Sequence, residues 1–341
     1  MDSVTQAALG AAVGGAAMGR RQGWRAFAWG AALGTVPDLD SFIPYGGPVA
    51  DFTYHRGYSH ALLVLSAASP VFAWIVQRLQ RHRAVRYRQC LAAVWLVFVT
   101  HALLDAFTIY GTQLLLPFTD YPVGLGSIFI IDPLYTLPLL AGIVVTLASV
   151  QRGGWHRARR ANLAGIALSS VYLAWTVGAQ QWIESRADAA IARLELPADR
   201  VLATPTAFNS LLWRVVAVGE DAHWEGFLTV GADRPLRFTR YERQPELLAG
   251  IQNRWSVRRL QAFTKGFYSV NELDGGKVVI TDLRMGQARF YAFAFTVGQR
   301  EAGRTRPVGV RRFEYGRPDL DVVVRELYSC GRNRPTTVLS C

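Results

Sequence analysis

The sequence predicts an α-helical integral membrane domain followed by a C-terminal antiparallel β-rich soluble domain. Three observations predict it. Nearly all long apolar runs fall within residues 1–183, basic clusters recur between those runs, and residues 200–341 carry short stretches dense in Phe, Tyr, Trp and Val that Gly and Asp punctuate. The 341 residues are 51% hydrophobic and 18% charged, too oily for an ordinary soluble enzyme and too polar for a pure transporter, because the average blends two unlike parts. A chain of this length accommodates two or three domains.

Six apolar segments are long enough, or nearly so, to enter a bilayer. The first, 4–19, is short, and Gly10, Gly14, Gly15 and Gly19 give it small-residue faces suited to close packing on a neighbouring helix. It opens with "MDSVTQ", an acid where a secretory leader has a basic start, so it is read as retained. The second, 24–44, is interrupted near its end by Pro37, Asp38 and Asp40, and with the first it reads as a short helical hairpin or a partly re-entrant pair. The third (59–77), fourth (90–112), fifth (133–150) and sixth (162–183) read as helices.

The net charge of +12 resides partly in three clusters, 19–25, 77–88 and 151–160, which alternate with the segments. The positive-inside rule places such clusters in the cytoplasm, so loops 45–58 and 113–132, and everything after the sixth helix, are expected on the outer side of the inner membrane. The other arginines are scattered and no nucleic-acid-binding motif accompanies them, so no nucleic-acid partner is expected.

We expect the membrane domain at 1–183, a helical linker at 184–199 and the β-rich domain at 200–341. Residues 211–230 read as two strands around a polar turn, and "GKVVITDLRMG" and "ARFYAFAFTVG" as another strand pair. His223 fits a sheet position, and His82 and His156 fall in basic loops. Cys90 reads as an apolar filler, whereas Cys330 and Cys341 fit either a disulfide or two free thiols.

Ionisable residues at membrane segments are costly and face a cavity or a partner. Here they comprise Asp38 and Asp40 in "VPDLD", His55 and His60 in "HRGYSH", His101 and Asp105 in "THALLDAF", and Asp132 in "IIDP". Each alone has a structural reading: Asp38 as a turn cap, His101–Asp105 as a hydrogen bond, Asp132 as an N-cap with Pro133 in the first helical position. As a set they point to a metal. His101 and Asp105 share one helical face, and the side assignment brings all seven residues to one depth from separate segments. His and Asp together suit zinc first, with manganese or magnesium as alternatives.

"MDSVTQAALG", "PDLD", "HRGYSHA", "THALLDAFTIYGTQLLLPF" and "IIDPLYTLPLL" together resemble the YdjM-like family, membrane-bound proteins described as metal-dependent hydrolases. The resemblance covers about the first 150 residues, with five motifs in the family's order. The C-terminal part also looks like the extra domain of one longer branch. More remotely, the His/Asp pattern is similar to the zinc-dependent phospholipase C and single-strand nuclease group of phosphodiesterases. One departure stands out: many family members carry His after the N-terminal Thr, where this chain has Gln6, which implies an outer-shell role for Gln6 or one metal fewer.

The expected activity is hydrolysis of a phosphoester in a lipid or lipid-linked substrate, with the bilayer as the other partner. Asp40 or Asp132 is the candidate base or orienting group, Arg56 the candidate phosphate anchor or a headgroup contact, and Ser59 and Thr108 further hydrogen-bonding groups. No G-x-S-x-G motif suggests a serine hydrolase. The alternatives are a transporter, which would show a deeper polar trail and repeats, and a scaffold stapled by a structural metal.

Overall fold

The computed structural model describes residues 1–80, 85–153, 155–288 and 290–316. His82, Cys330 and Cys341 lie outside the described residues, as does the side chain of His156. The chain divides into two compact units. The first comprises Met1–Ile43, Tyr54–Val177 and Ala207–Asn209; the second comprises Pro44–Thr53, Gly178–Thr206 and the chain from Ser210 onward.

The first unit opens with α1 (Ser3–Gln22), whose N-terminus is capped by the Asp2 carboxylate accepting from the Val4 and Thr5 amides. α2 (Trp24–Thr35) folds back against it. The two backbones approach so closely that a Cβ on Gly10 or Gly30 would collide with the other residue's carbonyl, which explains the glycines the sequence places there. After the loop and the short segment held by the second unit come α4 (Leu62–Leu79), α5 (Tyr87–Phe107) and α6 (Pro133–Gly153). α7 follows (Trp155–Arg193), and its residues up to Val177 belong to this unit.

Among the described residues, three helices are long and apolar enough to cross a membrane: α4, α5 and the Ala158–Arg193 stretch of α7. α6 adds a shorter apolar stretch, Pro133–Ser149. The α1–α2 hairpin is not among them; its Gly and Ala content serves helix contact rather than hydropathy. Leu63, Val71 and Trp74 of α4, Val144 of α6, and Leu168 and Val171 of α7 are exposed, the large apolar surface a bilayer covers. α5 is the enclosed helix, with Cys90, Val94, Val97 and Phe98 buried in the core.

The second unit contains two four-stranded antiparallel sheets. One runs in the order β1 (Arg200–Pro205), β2 (Leu212–Val218), β3 (Ala222–Thr229), β4 (Thr239–Glu242). The other has the order β10 (Arg304–Phe313), β9 (Ala294–Glu301), β6 (Lys277–Asp282), β5 (Tyr268–Leu273). β7 (Gly286–Gln287) and β8 (Phe290–Tyr291) form a small separate ribbon.

The expected hairpin at 211–230 is β2–β3, paired from Leu212–Thr229 to Val218–His223. The second expected pair is β6 with β9, and Phe290 and Tyr291 peel away into the ribbon. β1, β4, β5 and β10 complete the sheets around these hairpins.

Two helical pieces join this core. Residues 178–193 of α7, where a separate linker was expected to begin, continue the helix without a break and pack Ala179, Ile183 and Ala187 with Trp213, Val215 and Leu228. A seven-residue helix, α3 (Pro48–Tyr54), lies within the expected loop 45–58. It buries Phe52 among Phe263 of α8 (Trp255–Phe263), Phe293 and Phe295.

Candidate metal centre

Three irregular or helical segments of the first unit supply the site. Pro37 starts a 3-10 turn, Pro37–Phe42, that ends α2 and carries Asp38 and Asp40. A second 3-10 turn, Tyr58–His60, delivers His60 just before α4 begins at Leu62. His101 and Asp105 stand one helical turn apart on the enclosed helix α5.

Asp38, His60, His101 and Asp105 each offer one ligand atom, all within 4.8 Å of one another. His60, His101 and Asp105 are fully buried. The His60 and His101 Nε2 atoms face each other at 3.1 Å. Asp105 Oδ2 lies 3.1 Å from the first and 3.5 Å from the second, and Asp38 Oδ1 lies 3.5 and 3.6 Å from them.

The surrounding hydrogen bonds fix both imidazole tautomers. His101 Nδ1 sits 2.7 Å from the Gly34 carbonyl, which only accepts, so this nitrogen carries the proton. The Ser59 hydroxyl donates its single proton to Asp40 Oδ2 at 2.6 Å and therefore accepts from His60 Nδ1 at 2.8 Å. In the neutral rings both Nε2 atoms are thus bare lone pairs, beside two carboxylate oxygens. Asp105 Oδ2 and Asp38 Oδ2 are buried without a hydrogen-bond partner. A ring nitrogen that donates to a carbonyl or hydroxyl while the other turns inward is the arrangement that orients metal-binding histidines.

The electrostatics carry the same demand for positive charge. Burial pushes the His60 imidazole down, but the Asp105 and Asp38 carboxylates facing its Nε2 outweigh this, and the net shift is upward, so positive charge at that position is favoured. Burial raises the Asp40 carboxyl, and hydrogen bonds from His55 and Ser59 reverse this and hold it down to about 2. Asp105 Oδ1, by contrast, is well supplied: the Met1 amino group, Gln6 Nε2 at 3.0 Å and Arg56 Nη2 at 3.4 Å meet it. One oxygen of Asp105 is satisfied and the other faces the histidines.

Around the four-residue group stands a second layer. Asp40 accepts from the Arg56 amide at 2.9 Å and lies 2.9 Å from His55 Nδ1. His55 is partly exposed and meets the Tyr110 ring edge-on. The Arg56 guanidinium lies over the Tyr110 ring and donates to Thr108 Oγ1 at 3.2 Å, and Arg56 itself adopts a left-handed backbone with φ +61°.

Four of the seven expected ligands, Asp38, His60, His101 and Asp105, therefore meet as one group. Asp40 and His55 adjoin it, 2.9 Å apart through Oδ1 and Nδ1, rather than entering it. Asp132 is not brought into the group. Its Oδ1 accepts from the Leu134 and Tyr135 amides and its Oδ2 from the Tyr172 hydroxyl, so it serves as the N-cap of α6. Gln6 takes the outer position, bonded to Asp105. Sequence reasoning missed Gly34, whose role is a backbone carbonyl and leaves no side-chain signal, and Tyr110, which falls inside the expected apolar segment 90–112.

Comparison with known proteins bears on the part of the chain that carries this geometry. The family described as YdjM inner membrane protein matches residues 1–183, somewhat more than half of the chain. The chain belongs to the YdjM family. As a YdjM protein it is an inner membrane protein, and the matched region contains every residue of the four-residue group. It is 27% identical over 121 residues to the uncharacterized protein YfhP of Bacillus subtilis (strain 168), covering 35% of this chain and 36% of that one. The chain thus spans about a third of that relative's length. No solved structure matches.

Proposed function

We propose that this YdjM protein is a membrane-bound, metal-dependent hydrolase that cleaves a phosphoester in a lipid or lipid-linked substrate at the outer face of the inner membrane. The observation that carries the proposal is the pair of inward-facing Nε2 atoms, bare lone pairs in the neutral rings, 3.1 Å apart beside two carboxylate oxygens. A tetrahedral ion with bonds of about 2.0–2.1 Å spaces its ligands about 3.3 Å apart. The separations of 3.1 to 3.6 Å between the histidines and the carboxylates bracket that value. Two carboxylates also balance the charge of a divalent cation. The donor set suits zinc first, with manganese or magnesium as alternatives.

A divalent ion held there supplies Lewis acidity and a water that ionises near neutral pH. The chain's own groups supply the rest. Asp38, His60, His101 and Asp105 hold the ion. Arg56 binds the anionic oxygens of the phosphoester through its planar fork, and its left-handed backbone is the kind of strain that persists where function needs it. His55, 2.9 Å from Asp40 and partly exposed, stands between the group and solvent where it can contact substrate. Leu39, Phe42 and Ile43, adjoining the two aspartates in sequence, are exposed, with Phe42 83% so; this apolar rim suits an acyl-chain-bearing substrate in a bilayer.

The test is elemental analysis of the detergent-purified full chain beside a His60→Ala, His101→Ala double variant, followed by a panel of phospholipid and nucleotide phosphoesters. One equivalent of zinc or manganese, lost in the variant, with metal-dependent release of phosphate or headgroup, is expected. No metal after gentle purification and none regained on adding divalent ions would overturn the reading. Metal without hydrolysis of any phosphoester would leave a stapled scaffold, and ion uptake into proteoliposomes would assign a transporter.

A further inference from the structure

We propose that the loop 113–125 is an interfacial element whose outer edge inserts into the lipid bilayer. The loop lies between α5 and α6, wholly within the first unit. Residues 108–131 carry a single charged side chain, Asp120. The loop has two unlike edges. The inner edge is bonded to the turn that carries Arg56 and His60: the Gln113 amide donates to the Arg56 carbonyl at 3.0 Å, and the Leu62 amide to the Leu114 carbonyl at 3.0 Å. Thr112 and Val123 exchange amide bonds of 2.7 and 2.9 Å, which close the loop. Gln113, Leu114 and Leu116 are buried along this edge. The outer edge is apolar and open. Leu115, Phe118, Tyr121 and Leu125 are exposed, Phe118 by 81%. An apolar patch of this kind marks a surface that something other than water covers.

Continuity and depth both point to lipid as the cover. α4 is long and apolar enough to cross a membrane, and Leu63 in its first turn is exposed. The bond between the Leu62 amide and the Leu114 carbonyl joins the loop to the start of that helix, with the exposed Leu63 and Leu115 each one residue from it. The outer edge thus continues the apolar surface that the bilayer covers on α4. Depth follows from α5, another helix long enough to cross. The Leu125 amide donates to the Ala106 carbonyl at 2.9 Å and the Ser127 amide to the Phe107 carbonyl at 3.0 Å, so the loop is held at the end of the span. An irregular backbone belongs at that level and not deeper, because hydrocarbon cannot satisfy its polar groups. Tyr121 fits the same level, where tyrosine gathers in membrane proteins, and Asp120 there reaches headgroups and water. An inserted outer edge also sets the bonded turn, with Arg56 and His60, at headgroup level. The insertion stands on the membrane location and the loop; its bearing on substrate rests on the function proposed above.

The experiment places a nitroxide label on the full chain in vesicles of phosphatidylethanolamine and phosphatidylglycerol. Cys330 and Cys341 are replaced by serine, and the fully buried Cys90 is kept. The label goes on Phe118→Cys. Val71→Cys, on the exposed surface of α4, is the lipid reference, and Asp274→Cys, exposed between β5 and β6, is the water reference. Relaxation by oxygen, which concentrates in lipid, is compared with relaxation by a neutral nickel chelate, which stays in water. The oxygen-to-nickel ratio at Phe118 should lie severalfold above that at Asp274 and close to that at Val71. If Phe118→Cys does not fold, Leu115→Cys takes its place with the same expectation. A ratio equal to that at Asp274 puts the loop in water and overturns the proposal. Weak relaxation by both reagents shows that protein, a partner or a second copy, covers the edge, and overturns it as well. Metal content does not enter this measurement, so the metal reading fails or stands apart from it.

Discussion

Ser59→Ala tests the tautomer argument without touching a ligand atom. The Ser59 hydroxyl gives its proton to Asp40 Oδ2 at 2.6 Å and receives one from His60 Nδ1 at 2.8 Å. Asp40 cannot replace it, because His60 Nδ1 lies 3.9 Å from Asp40 Oδ2, beyond hydrogen-bonding range. In the alanine variant Nδ1 loses its acceptor, and the ring proton moves to Nε2, where Asp105 Oδ2 at 3.1 Å accepts it. That proton then occupies the position a metal needs.

A hydrogen bond within a charged chain of this kind is worth about 1.5–3 kcal/mol, and losses in metal affinity of about ten- to a hundredfold follow when such orienting groups are removed. The two figures describe the same free energy, since about 1.4 kcal/mol is tenfold. The assay is competition with a chromophoric chelator in detergent. Metal stoichiometry should stay as in the wild type, the dissociation constant should rise by that factor, and Ser59→Thr should restore it. A Ser59→Ala protein that binds within about twofold of wild type, while His60→Ala loses the metal, would refute the tautomer reasoning.

Three further outcomes follow from the fold. Arg214 and Glu225 form a buried, multiply bonded pair in the β2–β3 hairpin, so Arg214→Met, which takes the guanidinium from the buried carboxylate, should destabilise the second unit by about 3–5 kcal/mol in denaturant titrations, and adding Glu225→Gln, which keeps an acceptor for Ala288 and Tyr291, should recover part of it. Burial pushes the His223 imidazole down to about 4 from its ordinary 6.5, so the unfolded chain takes up a proton that the folded one refuses; stability should fall by up to about 3 kcal/mol as pH drops from 6.5 to 4, and His223→Gln should flatten that slope in Trp213 and Trp224 fluorescence. Gly30→Val forces a side chain into the Gly10 carbonyl and should lower the thermal midpoint of the full chain by several degrees in a scan of the detergent-solubilised protein.

What the sequence made legible follows the range of the interaction that fixes each feature. The His and Asp residues at the mouths of apolar runs were visible because polar groups there violate local composition, and a spacing of four placed His101 and Asp105 on one helical face. Asp132 fitted both a ligand and an N-cap; the Leu134 and Tyr135 amides take one oxygen as a cap, and the Tyr172 hydroxyl, 40 residues on, takes the other. α3 was not legible, because its seven residues carry no periodicity of their own and are held by Phe263, Phe293 and Phe295, more than two hundred residues away. The α1–α2 hairpin was legible in the glycines of its first segment, and the structure uses Gly10 against Gly30 for the close backbone contact they suit.

The polarity of the inner group differs from that of an ordinary packing network and suits a cation. A packing network places donors opposite acceptors, since a buried acceptor left alone costs about 1–3 kcal/mol. At Asp105 the chain does so for one oxygen, which meets the Met1 amino group, Gln6 and Arg56. For the other oxygen it supplies two imidazoles, and then turns the proton of each outward, His101 to the Gly34 carbonyl and His60 to Ser59. Asp38 adds a further acceptor to the same space. In the neutral rings four acceptors converge, with the Nδ1 protons held outward by Gly34 and Ser59. A second proton on His60 would satisfy Asp105 Oδ2 alone, whereas one divalent cation would engage all four acceptors at once and leave the bonds among Gly34, Ser59 and Asp40 as they are.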